Sequence, residues 1–478
     1  MNKNQFVKTK IICTIGPATN NISKIKHLIM AGTDAIRLNF SHGTYEDHLL
    51  SLNLIKKVEK SLGKTVTVVQ DLQGPKIRVG ELVSPFIILK RSQILKLTTK
   101  ILKGNSDKIS VTYKQLLNDI KIGDRILFDD GKIESKVIKI EDDEARIRIT
   151  RGGKLYPHKG VNLPGIHISA KSLTNKDKND LQFAFRYNVD YVAHSFVRSA
   201  EDIKNLRKYI AKNGPKNRKI KIIAKIEKPE AIKYIDEIID ESDAIMVARG
   251  DLGVELSAED VPVLQKMIIR KCNKMGKPVI VATQMLESMI SNSRPTRAET
   301  SDIANAVFDG ADALMLSGET AVGKYPVEAV KVMNKVIRDA EKHLISYRDY
   351  NPVEFPATHD YDFLCQSASV LANELKTSAI VAITNSGTTA IRLAKYRPDV
   401  PIIAITDNEV VLRHINLVWG VQGVFVRNIK INSDVLLLKI ENMIKKLGFV
   451  NKNETILIVA GIPLFKKYST NMIKVVKL

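Results

Sequence analysis

Residues 219–226 read KIKIIAKI, residues 243–249 DAIMVAR and residues 277–284 KPVIVATQ. Each run is short, rich in β-branched residues and apolar along nearly its whole length. That is the pattern of a strand buried on both faces of a parallel sheet. Between the runs lie stretches of helical periodicity, at 229–240 and 259–275. Parallel strands need a long crossover, usually a helix, so the repeating unit is strand then helix. The unit recurs outward from this stretch. KIICTI (10–15), DAIRLNF (34–40), TVTVVQD (65–71), VDYVAHSF (189–196) and DALMLS (312–317) are further strand runs, with helical stretches at 176–187, 200–212 and 296–308. The eight runs together predict an α/β fold built on a closed (β/α)8 TIM barrel.

The third unit is interrupted. Between Asp71 and about Lys176 the helical pattern gives way to FIILK, QILKLTT, KISVTY, DRILFDDGKIESKVIKI and ARIRIT, with Asp130-Gly131 as a hairpin turn. These short alternating runs predict a small β-barrel domain inserted in a βα loop, and GVNLPG (160–165) returns the chain to the main barrel. After about residue 345 the pattern restarts with AIVAIT (379–384), PIIAIT (401–406), GVFVR (423–427) and TILIVAG (455–461), behind a linker at 346–362. The expected domains are 1–73 with 163–345 for the barrel, 74–162 for the insert, and 346–478 for a C-terminal α/β domain.

A chain of 478 residues is too long for one ordinary core, and 44% hydrophobic with 26% charged residues is a globular composition. Cys13, Cys272 and Cys365 lie far apart, with no CxxC or Cys/His spacing, so neither a zinc site nor a disulfide framework is expected. This suits a reducing compartment, and a cytoplasmic location is the expectation. No apolar run reaches the ~20 residues that span a bilayer. Gly16-Pro17 cut short the apolar stretch after the first lysines, which argues against a signal peptide. The net charge of +22 raises nucleic-acid binding as a possibility. Lysines spread along the whole chain, with no arginine-rich arm and 6% aromatic residues, fit a solvated basic surface better.

In a barrel of this kind chemistry gathers at the carboxyl ends of the strands. Strand two ends Arg37-Leu38-Asn39-Phe40-Ser41-His42, where alternation puts Arg37, Asn39 and Ser41 on one face. Strand three ends at Asp71, strand five at Lys225-Ile226-Glu227, strand six at Arg249-Gly250-Asp251, and strand seven at Thr283-Gln284. One charge at a strand end is more often a surface ion pair. Five polar ends converging on one mouth would be costly without a ligand or metal to neutralise them. Glu227 and Asp251 are hard oxygen ligands suited to Mg²⁺. Arg37 offers a planar fork for phosphate and Lys225 a point charge. Gly250 permits close backbone approach to an anion, and the Thr283 hydroxyl could relay a proton. A divalent metal, a lysine and an arginine with no evident nucleophile point to phosphoryl transfer.

The chain resembles the pyruvate kinase family through KTKIICTIGPAT, RLNFSHG, QDLQGPKIR, KGVNLPG, KIEKPEA, MVARGDLGVE, VATQMLESMI, RPTRAE and LMLSGETAVGKYP, which stand in that family's order. The resemblance implies transfer of the phosphoryl group of phosphoenolpyruvate to ADP, the last step of glycolysis, by a homotetramer that requires Mg²⁺, for which Mn²⁺ can stand in. It implies that Lys225 stabilises the transferring group and that Glu227 and Asp251 hold the metal. Arg37 would bind the substrate phosphate, Gly250, Asp251 and Thr283 the rest of the substrate, with Thr283 steering protonation of the enolate. Arg78 and Lys159 would meet ADP phosphates, and Asn39, Phe40, Ser41 and His42 match the segment that touches nucleotide and monovalent cation. Asn39, Ser41, Asp71 and Leu72 form the family's K⁺ position. Many members have an acidic residue where this chain has Lys76, so a tethered ammonium replaces the ion and puts K⁺ dependence in doubt.

In the C-terminal domain, Thr384, Ser386, Gly387, Thr388 and Thr389 resemble a loop that holds an effector phosphate. A strand–loop–helix junction favours the same residue types with no effector at all. The second effector segment, 461–471, is bulkier than the family's glycine-rich version. Three rival readings are weaker. An aldolase-like lyase would share the acidic pair and Arg37 but needs neither Lys225 nor an insert carrying Arg78 and Lys159. A nucleic-acid-binding protein would cluster arginines with stacking aromatics. A catalytically dead scaffold should have lost site residues, and none is lost.

Overall fold

The computed structural model describes residues 6–478 except 217, 345–356, 358–359, 428–439, 441, 447, 449, 452 and 463–469. The eight predicted runs form a closed, all-parallel barrel in chain order: Lys10–Thr14, Ala35–Asn39, Thr67–Asp71, Tyr191–His194, Lys221–Ile226, Ala244–Ala248, Val279–Ala282 and Ala313–Leu316. The last strand returns to the first with Lys10 beside Ala313. Nearly every strand residue is buried, because the barrel interior covers one face and the helices the other. Register fixes the mouth: Asp71 lies beside Asn39 on one side and Ala193 on the other.

The helices start where capping residues permit. Thr174 and Asp177 form a capping box at the start of Asn175–Tyr187, and Thr296 and Glu299 do the same for Arg297–Phe308. The helix expected over 229–240 is two pieces, Pro229–Lys233 and Ile235–Glu241, because Tyr234 leaves helical geometry at φ −109° and ψ 24°.

Between the third and fourth barrel strands the chain builds the inserted β-domain. Six strands form one sheet, and Ile87–Leu89 pairs with Gly153–Leu155 as a separate ribbon. Residues 78 and 79 tie the sheet's two edges together: Arg78 bridges to Gly160 and Val79 to Val111. The enclosed core, with Val79, Leu97, Phe128 and Ile147 buried in it, is separate from that of the main barrel. The hairpin turn expected at Asp130-Gly131 is present, with Asp129, Asp130 and Gly131 all at positive φ.

The C-terminal α/β domain has a five-stranded sheet in the order Val421–Phe425, Ile402–Thr406, Ala379–Ile383, Thr455–Ala460 and Met472–Lys477. The last strand is antiparallel and lies beyond the four predicted runs: as an edge strand it buries little, so it lacks a continuous apolar run. The linker expected at 346–362 falls mostly outside the described residues, and Asp360–Glu374 is already helix. This domain stoppers the amino end of the barrel. Leu417 is fully buried in one cluster with Ile12, Val69, Tyr191 and Met246 of the barrel interior. Around it Arg397 pairs with Asp312 at 3.1 Å, Arg413 with Glu59 at 2.8 Å, and the Tyr191 hydroxyl donates to the His414 carbonyl at 2.9 Å. The carboxyl end of the barrel, where the polar strand ends gather, stays open toward the insert.

Candidate active site

The centre of the mouth is an alternating chain of charges. Arg37 Nε lies 2.6 Å from Asp71 Oδ2, and its Nη1 donates to the Thr14 hydroxyl at 3.1 Å. Lys225 Nζ lies 3.1 Å from Asp71 Oδ1 and 2.8 Å from Glu227 Oε1, and donates to Ser195 Oγ at 2.7 Å. Lys225 and Glu227 share a face because they are two residues apart on one strand. Burial disfavours every one of these charges, yet the pairing wins for two of them. Burial opposes the Asp71 charge, but Lys225 and Arg37 hold its carboxyl below the ordinary range. Burial likewise opposes the Lys225 charge, and Asp71 and Glu227 more than offset it, so the ammonium is held well above its ordinary value. Glu227 goes the other way: burial raises it, Lys225 pulls against that, and the like charge of Asp251 adds to the rise.

Arg37 and Lys225 thus face three carboxylates, Asp71, Glu227 and Asp251. Among these five side chains one carboxylate is in excess, and the excess lies where Glu227 and Asp251 repel each other. A divalent cation between those two would reverse the imbalance, so the residues fit Mg²⁺. Among the described residues no group of three or more His, Cys, Asp or Glu could hold a metal. A pair of carboxylates that leaves the remaining positions to water and substrate oxygen is the usual Mg²⁺ arrangement.

The ends of strands six and seven meet beside this cluster. The Gly250 N–H donates to Thr283 Oγ1 at 2.8 Å, and that hydroxyl donates to the Ala282 carbonyl at 2.6 Å. Thr283 and Gln284 both sit at positive φ, 68° and 55°, a strained pair that turns the hydroxyl toward Gly250. A Cβ on residue 250 would come within 3.2 Å of Thr283 Oγ1, so glycine keeps the approach open.

The pyruvate kinase barrel-domain family matches residues 6–330, and the pyruvate kinase alpha/beta-domain family matches residues 362–476. The chain belongs to the pyruvate kinase family. It is therefore an enzyme, a phosphotransferase. Among its relatives, the pyruvate kinase of Geobacillus stearothermophilus is 44% identical over 472 residues, 98% of this chain and 80% of that protein. The pyruvate kinase of Staphylococcus haemolyticus is 43% identical over 474 residues, again 98% of this chain and 80% of the relative. The crystal structure of a pyruvate kinase from Cryptosporidium parvum superposes with a TM-score of 0.92 at 38% identity, covering 99% of this chain and 97% of that one.

The remaining residues expected from the pyruvate kinase resemblance lie at different distances from this centre. The Asn39 side chain accepts the Ser41 N–H at 3.1 Å and shapes the turn out of strand two. Burial and the charges of Arg78, Lys76 and Arg37 depress His42. Phe40 is buried, its ring stacked on His48 at 4.1 Å and packed edge-on to Phe183. The ring packs into the helix layer. Leu72 is buried too, and its carbonyl accepts the Ser195 hydroxyl at 2.7 Å. Lys76 is half-buried in the hinge that leads into the insert. Arg78 Nη1 donates to the His158 carbonyl at 2.9 Å, and Lys159 pairs with Asp129 at 2.9 Å.

In the C-terminal domain the Thr384 hydroxyl accepts the Gly387 N–H at 2.9 Å, Ser386 and Thr388 share a hydrogen bond at 2.8 Å, and Thr389 bonds Thr470 at 3.0 Å. Gly387, at φ 84°, caps the helix Thr388–Lys395. The loop is thus ordered largely by its own hydroxyls, and most of the second segment, 463–469, lies outside the described residues. Sequence reasoning missed Ser195 and Phe196, although strand four visibly ends in the polar pair His194-Ser195. Ser195 touches Lys225 and Leu72, and the Phe196 N–H donates to Glu227 Oε2 at 2.9 Å.

Proposed function

We propose that this chain transfers the phosphoryl group of phosphoenolpyruvate to ADP, giving pyruvate and ATP as the last step of glycolysis. The observation that carries the reading is the buried ammonium of Lys225, kept charged between Asp71 and Glu227 beside Arg37. Phosphoryl transfer needs fixed positive charge around a phosphate more than it needs a nucleophile. Arg37 grips the substrate phosphate and Lys225 faces an equatorial phosphoryl oxygen. The bond from phosphorus to the enol oxygen breaks as a bond to the terminal phosphate oxygen of ADP forms. The enolate left behind takes a proton at its methylene carbon, which Thr283 steers, while Gly250 and Asp251 hold the carboxylate end.

Glu227 and Asp251 would hold Mg²⁺, with Mn²⁺ able to replace it. Bound there, the metal supplies positive charge to substrate oxygens. Asn39, Ser41 and His42, with Arg78 and Lys159 from the insert, line the path to the nucleotide. Lys76 takes over the role of K⁺ at the position formed by Asn39, Ser41, Asp71 and Leu72. The domain division is 1–73 with 163–345, 74–162 and 346–478, and the middle domain is a lid that excludes water from the transfer. The enzyme acts in the cytoplasm as a homotetramer, and the loop from Thr384 to Thr389 takes a phosphorylated effector. A coupled assay of pyruvate formation from phosphoenolpyruvate and ADP, with and without Mg²⁺, tests the reading. Absence of Mg²⁺-dependent pyruvate formation would refute it.

A further inference from the structure

A second buried ion pair lies one residue beyond the proposed metal carboxylate. Lys228 Nζ is 2.7 Å from Glu255 Oε1, and both side chains are nearly sealed from water, at 6% and 2% exposure. Lys228 follows Glu227 directly. Glu255 stands four residues after Asp251 on the same short helix, Arg249–Glu255, and so one turn away on the same face. The pair therefore ties the segment that carries one carboxylate to the segment that carries the other.

Both hinges of the insert end on the same joint. On the return side, the Asn162 amide donates to Glu255 Oε1 at 3.1 Å, so that one oxygen receives both Lys228 and Asn162. On the outgoing side, Gly74 sits at φ 67° against Phe196, and a Cβ there would come within 2.8 Å of the ring. Phe196 lies under the Lys228 ammonium, 5.5 Å from ring centroid to Nζ, and its N–H holds Glu227. A buried charge pair is expensive to maintain and weak evidence for stability as such, so its position needs another account.

We infer that Lys228 and Glu255 are positioning residues. They set the spacing of Glu227 and Asp251 and link it, through Asn162 and Phe196, to the seating of the inserted domain. The seating of the insert and the spacing of the two carboxylates then meet at one joint, with Asn162 as the arm that reaches the insert. The inference rests on the proposed metal role of Glu227 and Asp251.

The test is a titration of the full chain with Mn²⁺, without substrates, followed by the electron paramagnetic resonance of the free ion. Losing a group that orients metal ligands weakens binding about 10- to 100-fold, which is the expectation for Lys228→Met/Glu255→Gln, while the charge-keeping Lys228→Arg stays within about two-fold of wild type. The double variant removes both charges together, so its melting temperature should stay near that of the wild type. Should it fail to fold, Glu255→Asp keeps the charge, shortens the arm and is expected to weaken Mn²⁺ in the same direction. Asn162→Ala separates the lid from the joint. Wild type should resist trypsin within the insert once Mn²⁺ and phosphoenolpyruvate are added, and Asn162→Ala should lose that protection while keeping its Mn²⁺ affinity. Unchanged Mn²⁺ binding in the folded double variant or in Glu255→Asp, or intact protection in Asn162→Ala, overturns the joint. Glu227→Gln is the control for the underlying reading: if it binds Mn²⁺ as wild type does, the metal assignment falls and the joint falls with it.

Discussion

Lys225 Nζ stands 2.8 Å from Glu227 Oε1, so the cation proposed to face the phosphoryl group and the carboxylate proposed to hold the metal are already paired with each other. A metal held by Glu227 and Asp251 would compete with Lys225 for Glu227, and the ammonium would keep Asp71 as its partner.

In the proposed role, Lys225 would act in the transition state more than in binding. Lys225→Met should lower kcat by at least ~10³-fold, the scale for losing one preorganised charge, with little change in KM for phosphoenolpyruvate. Steady-state kinetics in saturating Mg²⁺ check this. A variant that keeps a tenth of wild-type kcat would sink the assignment.

Glu227 and Asp251 should both be indispensable. EDTA should abolish turnover, and either Mg²⁺ or Mn²⁺ should restore it, since both accept octahedral oxygen ligation. Near-wild-type turnover by Glu227→Gln/Asp251→Asn contradicts the metal role.

Lys76 should free the enzyme from K⁺. One unit charge ~4 Å from another is worth about 4 kcal/mol at an effective dielectric near 20, enough to decide whether an ion is required. Near-full activity is expected in K⁺-free buffer with a tetraalkylammonium counter-ion. Lys76→Glu, combined with Leu72→Thr, should create a K⁺ requirement. The measurement is initial rate against K⁺ at constant ionic strength, and a wild-type rate that rises with K⁺ by an order of magnitude would show that Lys76 does not replace the ion.

Two buried histidines predict how the fold responds to acid. Burial lowers His194 to about 4 and His414 to about 3, and Nδ1 of the first and Nε2 of the second find no hydrogen-bond partner among the described residues. Both are neutral in the folded chain. Below the ordinary histidine value of about 6.5 the unfolded chain takes up protons that the folded chain refuses, so stability falls as pH drops. The contribution is complete above about pH 6.5 and is lost toward pH 4 and 3, at about 1.4 kcal/mol per pH unit for each histidine. Urea unfolding midpoints between pH 7 and pH 4 should drop steeply, and less so in His194→Gln and His414→Asn. Equal slopes in wild type and variants would rule out these two as the titrating groups.

The barrel was legible because its strands are covered on both faces, which writes an apolar run such as Ile222–Ile223–Ala224 directly into the chain. The charged ends were legible for the same reason: Lys225 and Glu227 interrupt a run where burial should forbid them. Ser195 was not, since a serine at a strand end looks like any turn residue until Lys225 is seen at 2.7 Å. The joint of Lys228, Glu255 and Asn162 depends on segments brought together from positions 93 and 27 residues apart, and no local spacing encodes that. Phe40 entered only through the family segment Asn39 to His42; strand alternation sends its ring outward onto His48, so any part it plays would fall to its backbone.

Leu417 belongs to the C-terminal domain by chain order and to the barrel by packing. The boundary between those two units is therefore not a seam along which the protein divides. Trimmed back to its first 345 residues, the chain would expose an apolar shaft edged by Ile12, Val69 and Met246, with Asp312 stripped of Arg397 at its rim. Such a fragment invites aggregation before it can show any chemistry. For the same reason, a shift of the C-terminal domain does not have to be relayed across an outer surface to reach the catalytic end. Any such shift would act inside the tube, on the one leucine packed into the floor on which all eight strands stand.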